Sequence, residues 1–172
     1  LWGGLFPLLT IVCTQLVGAE QAGYLSMAFV VGTLLLFLGN YGVRTYQVSD
    51  IDEMESFYDY QLNRAITCVA MLAVGLVYCR LRGYDATMES ICMGVLCFRA
   101  VDALADVYEG RLQQKDKLYL AGLSQAVRCG LAFIVFTVVL FVTRDLVWAS
   151  RGMAIGAGVS FILLTLPLAL FE

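Results

Sequence analysis

The sequence predicts an all-α, polytopic transmembrane helix bundle of about six spans. Three observations lead there. Apolar residues make up 60% of the 172 positions and charged residues only 15%, whereas a soluble domain carries about a quarter charged residues and less than half apolar ones. The mean hydropathy is +0.81, more apolar surface than a chain of this length can bury inside itself. The apolar residues also fall in long continuous runs rather than in alternation. That excludes a β-barrel and leaves helices, which satisfy every backbone group within one segment.

Six apolar stretches follow one another near residues 1–17, 22–42, 58–80, 86–108, 117–143 and 147–171. Most reach the roughly 20 residues that a helix needs to cross the hydrocarbon layer. The chain opens on an apolar run without an initiator methionine and closes straight after another; it is expected to be a fragment of a longer protein, with a clipped first span. Gly18 to Gly23 reads as a tight turn. Ser49 to Glu55 is an acidic stretch in which Asp50 caps a helix and Glu53 completes a capping box. Phe57 and Tyr58 are an aromatic pair of the membrane-interface type. Arg80 to Gly83, Gly110 to Lys117, and Thr143 to Asp145 separate the later spans.

Orientation rests on a narrow margin. Arg44, Arg64, Arg111, Lys115 and Lys117 gather on one side, and Arg80, Arg82, Arg144 and Arg151 on the other. The excess points the Gly110–Lys117 loop into the cytoplasm. In the last span Gly152, Gly156 and Ser160 recur every four residues, a spacing that lets a neighbouring helix pack closely.

Composition excludes several chemistries. There is no histidine, which removes most zinc and haem sites and the usual proton shuttle. The cysteines at 13, 68, 79, 92, 97 and 129 form no C-x-x-C pair and read as small apolar packing residues. No metal, cofactor, catalytic group or nucleic-acid partner is expected; the net charge of −3 is small and says little about partners.

The functional signal is a set of ionisable residues inside apolar runs. Arg99, Asp102, Asp106 and Glu109 are spaced by three and four, which places them on one helix arc of about 80°. Arg128 lies in the middle of the fifth span, with Ser124, Gln125 and Lys117 on its face. A charge near the bilayer centre costs at least about 2.5–3.5 kcal/mol, so two such faces belong in a shared wet interior. Arg99 has Asp102 at helical spacing. Arg128 has no acid within its own span, so its partner is another helix or a ligand. Two arrangements meet this condition. In one, Arg128 pairs with Asp102 or Asp106 in a structural network. In the other, Arg99 and Arg128 line a cavity for an anionic substrate, with Gln125 beside them and Asp102, Asp106 and Glu109 as charge partners. The arginine fork stays charged in a dry site and binds phosphate oxygens in pairs. Arg64 is either a third member at the mouth or a snorkelling interface residue.

These residues resemble a known family. The run through Arg99, Asp102, Asp106, Tyr108, Glu109, Gly110, Gln113, Asp116, Gly122, Ser124 and Arg128 is similar to the fourth and fifth helices of bacterial polysaccharide (O-antigen and teichoic-acid type) flippases, in the multidrug/oligosaccharidyl-lipid/polysaccharide exporter superfamily. Gly18 to Tyr24, Gly39 to Gly42, Tyr46 to Asp50, and Tyr60 followed by Arg64 resemble their earlier helices. Together the similarity runs from about residue 18 to 146. It implies nearly all of the N-terminal lobe of a two-lobed transporter of the cytoplasmic membrane, with alternating access. The implied cargo is a polyprenyl-pyrophosphate-linked oligosaccharide, and the implied partner a C-terminal lobe of the same protein. Rival expectations are a peptidoglycan-precursor flippase and a cation-coupled drug exporter. The latter commonly places a carboxylate in its first helix, and Leu1 to Val17 has none. A membrane enzyme needs larger loops than these, and a scaffold leaves the paired polar faces without a use.

Overall fold

The computed structural model describes residues 2–50 and 56–171, and these are helical almost throughout. Helix α1 spans Trp2–Val17, α2 Ala19–Asn40, α3 Val43–Ser49, α4 Phe57–Leu81, α5 Ala86–Gln114, α6 Leu118–Thr143, α7 Leu146–Ser160 and α8 Leu166–Phe171. Because α3 continues α2 and α8 continues α7, the helices form six rods. Four of these are long and apolar enough to cross a membrane: α2 with α3, α4, α6, and α7 with α8. The chain is thus a multi-pass membrane protein by the length and composition of its helices.

The other two rods differ in kind. With 16 residues, α1 is short for a span. At 29 residues α5 is amply long, but its charges set it apart from the apolar four. Its position resolves the conflict. It packs against α2, α3, α4, α6 and α7, and sixteen of its 29 residues are buried, against seven of 26 in α6. The most polar rod is the central one, packed among the apolar ones.

Local chemistry accounts for the breaks. Gly18 alone separates α1 from α2, with φ 98°, a conformation glycine adopts at little cost; the turn expected over Gly18 to Gly23 shrinks to one residue. Between α2 and α3, Tyr41 (φ 37°) and Gly42 (φ 66°) are both left-handed. The helix then resumes, so the second rod runs to Ser49 instead of stopping near residue 42. Asp50 does not start the next helix. It ends α3 and accepts a hydrogen bond from the Tyr60 hydroxyl at 2.9 Å, while Ser56 caps α4 by accepting from the Tyr58 amide at 3.1 Å. Glu53, the expected second half of a capping box, lies outside the described residues. Asp85 and Asp145 cap α5 and α7 in the same manner.

In the last rod a π turn, Phe161–Thr165, joins α7 to α8. It lies just before Pro167, whose ring lacks an N–H and crowds the carbonyl four residues back; a widened turn accommodates both effects. The small-residue stripe meets its expectation. A Cβ at Gly156 would sit 3.0 Å from Val135 Cγ2, and one at Gly152 would sit 3.1 Å from Val139 Cγ2, so α6 and α7 touch where the side chains are smallest. Five of the six cysteines are buried and Cys97 is exposed.

Candidate ionic cavity between α2, α5 and α6

The arc predicted on α5 exists and forms the centre of a buried ionic network. Asp106 is shared by two arginines from two helices. Arg44 of α3 donates to its Oδ1 at 2.6 Å, and Arg64 of α4 donates to its Oδ2 at 2.9 Å. Arg44 also reaches Gln113 Oε1 at 3.1 Å. Arg128 crosses from α6 and divides its fork between two carboxylates, donating from Nε to Asp102 Oδ1 at 3.0 Å and from Nη1 to Glu109 Oε1 at 2.7 Å. Arg99 lies 3.6 Å from Asp102 Oδ2. The ion pairs thus form two clusters: Arg44 and Arg64 on Asp106, with one formal positive charge in excess, and Arg99 and Arg128 on Asp102 and Glu109, formally balanced.

Each expected site residue has a definite place. Arg128 and Gln125 line a cavity of about 220 Å³ together with Asn40, Asp102, Asp106 and Glu109. Arg99 is not among the residues that line this cavity. Its guanidinium stacks over the rings of Phe29 (5.3 Å) and Phe98 (5.7 Å) and donates to Thr33 Oγ1 at 3.1 Å, towards a separate pocket beside α1 and α2.

Arg64 is neither at a mouth nor snorkelling. It has no exposed surface and donates to Gly39 O at 2.7 Å and Asn40 Oδ1 at 3.0 Å, in addition to Asp106. The reason is the break after Asn40. Where the α2 ladder ends, its carbonyls lose their intrahelical donors, and Arg64 satisfies one of them. The partner of Arg128 is now explicit: Asp102, one of the two expected acids, together with Glu109 rather than Asp106.

Sequence reading missed Arg44, which it counted only for topology, and Asn40, Gln47 and Gln114. Asn40, Arg44 and Gln47 have the spacing of one helix face. That signal becomes visible only if the helix is carried past Tyr41–Gly42. Gln47 is fully buried and donates to Val107 O at 3.1 Å, while Gln114 donates back to Gln47 O at 2.7 Å. The fit is close at Gly110, where a Cβ would fall 2.7 Å from Gln47 Oε1 and push the amide aside. Hence α3 is clasped to α5 at both Asp106 and Gly110.

Chemically, the cavity offers one bidentate cation, two amide side chains and three carboxylates already engaged by arginines. Among the described residues no group of three His, Cys, Asp or Glu could hold a metal ion. No protein-family model, curated protein or solved structure matches this chain.

Proposed function

We propose that this chain is one lobe of a membrane transporter that flips a polyprenyl-pyrophosphate-linked oligosaccharide across the cytoplasmic membrane, for surface polysaccharide synthesis, by alternating access. The observation that carries the reading is Arg128, a buried guanidinium that lines the cavity and is held there by Asp102 and Glu109. Its fork is already held flat by Asp102 and Glu109, so little side-chain entropy remains to be lost on binding. Phosphate oxygens entering the cavity compete with those two carboxylates for the same N–H groups. Gln125 and Asn40 supply neutral amide contacts for hydroxyl-rich cargo. The lipid tail stays in the bilayer, and the second lobe implied by the family resemblance supplies the other wall of the cavity.

One observation favours a second reading, cation-coupled export: three of the cavity-lining residues are carboxylates. Each of them accepts from an arginine, however, Asp106 from two, which weakens their hold on a mobile cation. The deciding experiment reconstitutes the full-length protein in liposomes and follows a lipid-pyrophosphate-linked oligosaccharide, with Arg128→Gln beside the wild type. Transport by the wild type and its loss in a folded mutant are expected. Normal transport in the mutant would make Arg128 structural, and efflux of cationic dyes without lipid transport would favour the exporter.

A further inference from the structure

A further cavity lies on the opposite side of α5 from the ionic network. It is a groove of about 690 Å³ between α5 and α7, with Met93, Cys97, Val101 and Ala154 along its length and Glu89 and Arg151 at one end. From Glu89 to Val101 it runs about 18 Å at 1.5 Å per residue, close to the roughly 15 Å depth of one leaflet of the hydrocarbon core. Ionisable residues line it only at the end where α5 and α7 begin. There Glu89 lies 3.8 Å from Arg80, whereas Arg151 forms no salt bridge among the described residues and stands 5.5 Å over the Trp148 ring. Arginine above tryptophan is the chemistry of the headgroup level.

From this geometry we infer that the groove holds the acyl chain of an anionic phospholipid from that leaflet, with its phosphate on Arg151. The inference is independent of the proposed transport function. The headgroup, rather than the tail, decides the affinity. A chain leaving bulk lipid for the groove exchanges one apolar environment for another and gains only packing, while a basic residue at the membrane surface attracts an anionic headgroup by enough for about a fivefold preference. Glu89 at the same end lies 3.8 Å from Arg80, and no carboxylate among the described residues forms a salt bridge with Arg151, which is left to meet the phosphate.

The test uses full-length protein in mild detergent, offered equal amounts of phosphatidylglycerol and phosphatidylcholine, with lipid retention read by mass spectrometry of the intact complexes. Phosphatidylglycerol is expected to be retained about fivefold over phosphatidylcholine. Arg151→Gln should bring that ratio close to one, while Arg82→Gln, exposed at the same membrane side but outside the groove, should leave it unchanged. Cys97→Phe, at an exposed position, should reduce retention of both lipids by filling the floor. Equal retention of the two lipids by the wild type, or an unchanged preference in Arg151→Gln with helicity intact, would overturn the inference. So would a disulfide-linked dimer through Cys97 on oxidation in liposomes, which would assign the groove to a second copy.

Discussion

The two halves of α5 are both deeply buried, yet they are held in place by different physics. From Met88 to Phe98 the buried residues are apolar, and they pack with Leu9, Leu25, Phe136 and Met153 of the surrounding helices. From Arg99 onward the buried face includes Arg99, Asp102 and Glu109, with Asp106 beside them, and its partners are arginines, amides and a carbonyl. In a membrane the first half gains little from hydrophobic exclusion, since lipid tails are as apolar as leucine, so it depends on close packing. The second half depends on every charge having its partner, because one orphaned ion in that environment costs more than the intact pair contributes. The comparison teaches that one helix can depend on the fit of shapes at one end and on the pairing of charges at the other.

The largest effect should come from the charged half. Asp106→Ala leaves Arg44 and Arg64 without the carboxylate they share and with neutral acceptors alone, and is expected to destabilise the protein by about 3–5 kcal/mol, read by unfolding in mixed micelles. It should also raise hydrogen exchange in α3, where Arg44 sits. Adding Arg64→Met should recover part of the loss, since the orphan charge is then gone; a strictly additive double mutant would break the network reading. Next, Gly156→Leu forces a side chain against Val135 and should cost about 1–3 kcal/mol through overpacking in the same unfolding measurement, with no charge exposed. A negligible change there would mean that α6 and α7 separate more easily than their distances indicate. The smallest effect is expected for Arg80→Gln, which removes the solvent-facing contact with Glu89 and should shift stability by less than about 1 kcal/mol.

The helical class, the membrane setting and the charged arc of α5 were all legible in the sequence. So was the need for Arg128 to find an acid outside its own helix. The second break was misread for an identifiable reason. Tyr41–Gly42 has the composition of a span's end, and the polar residues after it resemble a loop, but α3 is stabilised from outside by Arg44 on Asp106 and Gln47 on Val107 O. Helix propensity cannot report a stabilisation that comes from another helix. The same holds for the Asp50 cap, where the Tyr60 hydroxyl captured a carboxylate that the local pattern assigned to the next helix.

By itself, the sequence determined the six apolar helical stretches, that most of them belong in lipid, and that one carries a face too polar to meet it. Those properties follow from composition and from periods of three and four residues, which are local. Only the tertiary structure decided that α5 is central, that Arg64 is sealed against the end of α2, that Asp106 is shared, and that Arg128 rather than Arg99 lines the cavity. These outcomes depend on the rotation and depth of each helix relative to its neighbours. Packing sets both, and no spacing within a single helix encodes them.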